Sequence, residues 1–261
     1  MFTTNPFAAL SDSVPYTVMQ TYVVVMILLV AGGTLFDLLH KRSARYFFDH
    51  WRTSRSRGRQ PVSGGTMVSL AVRTAAVEVL TSGEFCNVRR RVAHLMTMYG
   101  FVVYLIATLV MVFCYQAPAA STPAIWPQLW YIGALMVCLG GYWFWFFIRV
   151  DVAAEGHSAL RIVRADLFIL FLLASTTAGL AWGILQASGS SWADAILGLY
   201  VISTTVLFGS VPWSKFSHMF YKPAVAFQKR VAQADGSRNN LPAPVDKPEI
   251  YGSSTELPRH Y

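Results

Sequence analysis

The chain has 261 residues, of which 54% are hydrophobic and 13% charged, with 21 Lys and Arg giving a net charge of +8. Soluble domains carry about 25% charged residues, so the composition excludes an ordinary water-soluble globule. Cys86, Cys114 and Cys138 lie far apart with no CxxC spacing, which excludes a zinc or iron–sulfur site built from cysteines alone.

Residues 1–16 are polar, contain proline and carry no Lys or Arg. The first apolar segment runs from about Thr17 to Leu39 and holds the Gly32-Gly33 pair, which allows close helix approach. It is too long for a cleaved signal peptide and lacks the basic flank, so it is expected to remain as a span. A basic stretch follows from His40 to Arg91. Its first part reads as a juxtamembrane arm and then a loop. Its second part, residues 67–80, places apolar residues at helical spacing and predicts an amphipathic helix on a membrane surface or a partner.

The second segment is Val92–Tyr115, followed by a Pro-rich loop. The third, Gln128–Ile148, ends in Tyr142-Trp143-Phe144-Trp145-Phe146-Phe147, an aromatic run suited to the headgroup level. After a charged loop, Arg149–Arg164, comes a fourth segment, Ala165–Gln186. A fifth is expected to run from Trp192 to Tyr221, with Pro212 as a kink. From Lys222 the chain reads as a mostly disordered tail.

Eleven Lys and Arg fall in 40–91, three in 149–164 and seven from Lys215 onward, which is all 21. The positive-inside rule then predicts an all-α membrane protein: five transmembrane helices in a bundle, N-terminus outside and C-terminus cytoplasmic, in a bacterial inner membrane. Topology and attraction to anionic lipid account for the basic charge, so no nucleic-acid partner is expected.

Six histidines all fall on the cytoplasmic side of this topology: His40, His50, His94, His157, His218 and His260. His260 lies in the tail, His50 and His157 in polar loops, and His40 at a span end beside Lys41. His94 opens segment two and His218 closes segment five, so opposite chain directions put them at equal depth. Facing imidazoles in a bundle can ligate a six-coordinate haem b. Met98 and Gly100 would border the pocket, Gly100 offering room for the macrocycle. Arg89, Arg90, Arg91 and Lys215 would meet the propionates. The residues equally allow two interfacial histidines among lipid headgroups.

Arg90-Arg91-Val92-Ala93-His94-Leu95-Met96-Thr97-Met98-Tyr99-Gly100-Phe101 with Ala107-Thr108, Ser175-Thr176-Thr177-Ala178-Gly179-Leu180, and the stretch Pro212–Pro223 around His218 carry a family resemblance. Together they resemble cytochrome b-type membrane subunits related to the nitrate reductase gamma subunit. That group includes the membrane part of the quinone-interacting oxidoreductase complex, the tricarballylate-utilisation B protein, heterodisulfide-reductase-like subunits and the membrane anchor of adenylylsulfate reductase. The resemblance covers about residues 70–230. It implies one cytoplasmic-side haem b held by His94 and His218, passing electrons between quinone and a cytoplasmic partner. Where such proteins have further histidines for a second haem, this chain has Tyr104 and Tyr200, so that haem is expected to be absent. Ferredoxin-type cysteine runs are also missing, which implies a separate iron–sulfur/flavin oxidoreductase as partner, adenylylsulfate reductase being the first choice.

Lys215, Tyr221, Asp37 and Asp166 are candidates for quinone binding or proton delivery. Asp37 and Asp166 lie near span ends, where salt bridges to Arg42 or Arg164 compete with that role. The basic arm and the 67–80 helix are the expected docking surface. A haem-free anchor and a small transporter are the competing readings. The transporter is weakened by the lack of an internal repeat and by few midplane charges.

Overall fold

The computed structural model describes residues 2–40, 43–83, 85, 87–115, 122–149, 162, 166–213 and 218–237, with the side chains of 43, 44 and 218–220 excepted. These residues are helical, with no strand among them. The helices are α1 (Pro6–Leu10), α2 (Tyr16–His40), α3 (Ser43–Ser56), α4 (Gly64–Thr74), α5 (Val88–Cys114), α6 (Ile125–Trp143), α7 (Leu167–Ala187), α8 (Ala193–Gly209) and α9 (His218–Ala234). Wider π turns extend α4 over Ala75–Leu80 and α6 over Phe144–Ile148. Four helices are long and apolar enough to cross a membrane: Tyr16–His40, Val88–Cys114, Ile125–Ile148 and Leu167–Ala187. Ala193–Gly209 is a shorter apolar helix.

The chain divides into two compact units, residues 1–37 with 92–217 and residues 38–91 with 218–261. In the first unit the distribution of side chains is the reverse of a soluble bundle. Gly33, Gly100, Gly133, Gly140, Gly141, Gly179 and Gly183 are buried together with Ala93, Ala107, Ala134 and Ala178. Large apolar residues such as Leu28, Leu35, Ile106, Leu139 and Ile202 face outward. Lipid solvates those outer chains as well as a protein core would, so helices associate through small residues that let backbones approach.

Helices α5 and α6 approach backbone to backbone. A Cβ built on Gly100 would lie 2.6 Å from the Met136 Cβ and 2.8 Å from the Gly133 carbonyl oxygen. One built on Gly133 would lie 2.6 Å from the Tyr104 amide nitrogen, and one on Gly140 2.7 Å from the Ala93 carbonyl oxygen. Gly100 therefore serves helix contact and does not make room for a macrocycle, contrary to the sequence expectation.

The N-terminal sixteen residues are also part of this unit. The Asn5 side chain caps α1 through the amides of Phe7 and Ala8, and its Nδ2 donates to Thr122 at 3.2 Å. Phe7 packs edge-on against Trp130, with ring centroids 5.9 Å apart.

Segment five does not run unbroken to Tyr221. Helix α8 stops at Gly209, and Val211–Trp213 form a single 3₁₀ turn. Pro212 lacks an N–H and its ring clashes with the carbonyl four residues back, which ends an α-helix. The turn is seated on α2: a Cβ on Gly33 would meet Pro212 Cδ at 3.0 Å and Val211 Cβ at 3.1 Å. His218 accordingly opens α9 rather than closing a membrane span, and Tyr200 and His218 do not share a helix.

In the second unit, residues read as a loop and as a disordered tail are helices that pack on each other. In α3, Phe47, Trp51 and Ser54 recur at helical spacing, a pattern obscured in the sequence by the intervening arginines and serines. Trp51 stacks on Phe227 of α9 at 5.8 Å, and Ser54 hydrogen-bonds Ser237 at 3.0 Å. Glu78 pairs with Arg230 at 2.6 Å. The amides of Arg59 and Gln60 donate to the Asp235 carbonyl at 2.8 and 3.2 Å. The tail is thus helical through Ala234, because α9 buries its apolar face against the arm.

Replacing Gly133 by valine is expected to cost about 1–3 kcal/mol through overpacking against backbone that cannot move aside. The same change at Gly198, where a built Cβ meets nothing within 4 Å, should cost far less. Thermal unfolding of the detergent-solubilised protein compares the two.

Candidate functional site

The α5–α6 contact sets two levels in the first unit. Gly133 lies beside Tyr104, and Gly140 lies beside Ala93 and Thr97. His94 therefore sits level with Gly140, and Tyr104 nearly three turns further along α5.

At the tyrosine level the core is closed. The Tyr104 hydroxyl donates to the Tyr200 hydroxyl at 2.7 Å. Tyr104 stacks on Trp130 at 5.2 Å, and Tyr200 stacks on Trp182 at 5.8 Å. Trp130 Nε1 donates to Thr108 at 3.0 Å, and Thr108 donates to the Tyr104 carbonyl at 2.8 Å. A Cβ on Gly179 would lie 2.8 Å from the Tyr104 hydroxyl. The two tyrosines that the resemblance aligns with haem-ligating positions thus face each other across one hydrogen bond.

A second, smaller buried cluster lies in the same unit. Val137, Leu172 and Leu207 are buried, while Phe101, Phe168, Ile169, Phe171 and Phe208 are only half-buried around them. His94 and Met98 are half-buried on the flank of α5. Arg90, also half-buried, stands four residues before His94 and so shares its face of the helix. Asn87 starts α5 by accepting from the Arg89 amide at 2.9 Å.

The arginines are not equivalent. Arg91 Nε donates to the Thr81 carbonyl at 2.7 Å, which ties α5 to the preceding turn and occupies one of its donors. Arg89 is exposed. Arg90 is the one best supported to meet a ligand carboxylate on the His94 face.

The quinone and proton candidates also separate. Asp37 is 2% exposed on α2, one turn beyond the Gly33–Pro212 contact. Asp166 is engaged in a two-pronged ion pair with Arg149, and the Arg149 guanidinium lies 4.2 Å over the Trp145 ring. That pair clamps the end of the third span to the start of the fourth and makes Asp166 a structural anion. Tyr221 of α9 has a buried hydroxyl with no hydrogen-bond partner among the described residues, and a buried orphan hydroxyl is unfavourable unless a partner completes it. His50 belongs to α3, where its ring contacts Tyr46 at 4.2 Å, rather than to a polar loop. His40 is exposed at the end of α2. The His218 side chain, Lys215, His157, His260, Arg42, Arg164 and Cys86 lie outside the described residues.

A half-buried imidazole and a half-buried arginine one turn away on the same helix face are the donor types that a haem iron and a propionate would use. No group of three or more His, Cys, Asp or Glu suited to a bare metal ion occurs among the described residues. A haem needs only axial donors, since its ring supplies the other ligands.

These features define an all-helical protein with four transmembrane-length helices packed through small residues. The chain is similar to citrate utilization protein B of Escherichia coli, 28% identical over 161 residues, covering 59% of this chain. The matched part is 41% of that relative, so the chain spans less than half of its length. No protein-family model matches the chain, and no solved structure matches it.

Tyr104→Phe and Tyr200→Phe are each expected to destabilise the protein by about 1–2 kcal/mol, because each leaves one buried hydroxyl unpaired. The double variant should cost less than the sum of the two, read from a double-mutant cycle in thermal unfolding.

Proposed function

We propose that this protein is a membrane-anchoring haem b subunit that carries electrons between a cytoplasmic iron–sulfur/flavin oxidoreductase and the quinone pool. The observation that carries this reading is that His94 and Arg90 stand half-buried one turn apart on one face of α5, beyond an aromatic core closed by the Tyr104–Tyr200 hydrogen bond. In this reading His94 and His218 are the axial ligands, and one haem is bound. When bound, haem b supplies a one-electron relay.

The chain's own residues do the rest. Arg90 and Arg91 offer charge-assisted hydrogen bonds to propionates, with Lys215 as a third cation. The Tyr221 hydroxyl, buried without a partner among the described residues, would donate to a quinone oxygen. Asp37 carries a carboxyl buried in a span, where such groups serve proton transfer. Five spans, with α8 as the fifth, put all basic segments in the cytoplasm of a bacterial inner membrane, where anionic lipid attracts them. Helix α8 has 17 residues, about 26 Å, at the short end of what spans a bilayer.

Similarity to citrate utilization protein B supports the tricarballylate-utilisation branch of the resemblance. The partner enzyme proposed for test is adenylylsulfate reductase, acting in sulfite oxidation.

A reduced-minus-oxidised absorption spectrum of the purified protein is expected to show a b-type band at about one haem per chain. His94→Ala and His218→Ala should each abolish it. Absence of the band, its survival in both variants, or a ratio near two would overturn the assignment. Tyr221→Phe should leave the dithionite-reduced spectrum unchanged and slow haem reduction by a soluble quinol.

A further inference from the structure

The helix that runs from Gly64 through its π extension to Leu80 has two unlike sides. It packs on α9, with Glu78 paired to Arg230, and on that side Thr74 is buried while Leu70 and Val77 are half-buried. The other side is apolar and faces outward. Val68 and Val72, one turn apart, are 64% and 63% exposed, and Leu80 is 55% exposed. Ala71 and Ala75 on the same arc are exposed as well, and no charged residue falls on it. In a straight α-helix Leu80 would stand about a third of a turn away from Val68. The π turns close i→i+5 and so wind less per residue, which swings Leu80 back towards the valine side.

The far end of this helix is tied to the start of a helix of membrane-crossing length. The Arg91 Nε donates to the Thr81 carbonyl at 2.7 Å. Arg91 closes the first turn of α5 and stands immediately before the apolar stretch that begins at Val92. A span enters hydrocarbon where its basic flank gives way to apolar residues. Thr81 is therefore at headgroup level when α5 crosses a membrane. A helix that leaves that level with an uncharged apolar side is suited to lay that side on lipid. Arg73 is exposed beside the arc, where its stem can run along the surface and its guanidinium reach a lipid phosphate.

We propose that the helix Gly64–Leu80 lies in the plane of the membrane surface, with Val68, Val72 and Leu80 set into the leaflet that α5 enters and α9 on its water side. The sequence allows either a membrane surface or a protein partner on this helix, and the tie between Thr81 and Arg91 selects lipid. The proposal rests on α5 crossing the membrane and is independent of haem.

The test is site-directed spin labelling of the full-length protein in liposomes of phosphatidylethanolamine and phosphatidylglycerol. Single labels are placed at Val68→Cys and Val72→Cys in a background carrying Cys86→Ser, Cys114→Ser and Cys138→Ser. Lys229→Cys, at an exposed position on α9, is the water-side reference. Power saturation compares collisions with oxygen, which concentrates in lipid, and with a water-soluble nickel chelate. The oxygen-to-nickel ratio at Val68 and Val72 is expected to be several-fold above that at Lys229. With Val68→Asp and Val72→Asp introduced together, a label at Ala75→Cys should lose most of that excess, because carboxylates resist transfer out of water. These positions are exposed, so the unfolding temperature should stay that of the background chain. A ratio at Val72 equal to that at Lys229 marks a water-facing helix and would overturn the proposal. Low collision rates with both probes mark a protein contact and would do the same, with dipolar broadening identifying a second copy as the occupant. An Ala75 label that keeps its full ratio beside the two aspartates would also overturn it, since the valines would then not hold the helix in lipid.

Discussion

The backbone contact of α5 with α6 sets the level of every other group in the first unit. Gly100, Gly133 and Gly140 admit main chain where any Cβ would collide, at built distances of 2.6 to 2.8 Å. In hydrocarbon, association of helices draws on close packing and polar contacts rather than on release of water. These glycines supply the close packing, and the hydroxyl groups of α5, α7 and α8 supply the polar contacts. Serine and threonine are suited to this because each can return its proton to a carbonyl one turn back and still accept from a neighbouring helix. Thr97, Thr108 and Thr176 each donate to a carbonyl of their own helix, at 2.8 to 2.9 Å.

Once the α5–α6 level is fixed, the remaining helices follow from it. Gly179 lets α7 approach the Tyr104 hydroxyl, and Ser175 of α7 bonds Thr204 of α8 at 2.7 Å. The stretch Ser175–Leu180, singled out by resemblance, therefore carries three jobs within six residues. Ser175 joins α8, Thr176 and Thr177 face α6, and Gly179 makes room for the tyrosine pair. The Arg149–Asp166 pair holds the far ends of α6 and α7 together.

The second unit obeys the ordinary rules of a water-exposed helical cluster, with the aromatic stack of Trp51 on Phe227 inside and charged pairs such as Glu78–Arg230 at its edge. A cavity of about 330 Å³ there is lined by Arg55, Arg59, Gln60, Met67, Val231 and Asp235. The arm and the tail, more than a hundred residues apart in sequence, are one folded body.

The sequence by itself determined that the chain is helical, that its long apolar segments have membrane-crossing length, and where most of them begin and end. These follow from hydropathy and length, which each segment carries alone. It also singled out Tyr104 and Tyr200 as a pair and Gly33 as a point of helix approach. Other features required partners distant in the chain. Gly100 reads in sequence as space, and only its opposition to Gly133 makes it a contact. The break at Pro212 is stronger than a kink because the turn after Gly209 has a seat on Gly33. Asp166 chose Arg149 because α6 and α7 end side by side. Residues 218–234 are helical only because Trp51 and Glu78 lie against them. The hydrogen-bonded row from Thr176 through Cys138 and Thr177 to Tyr142 joins α6 to α7. No single segment contains that information, so tertiary structure alone decided it.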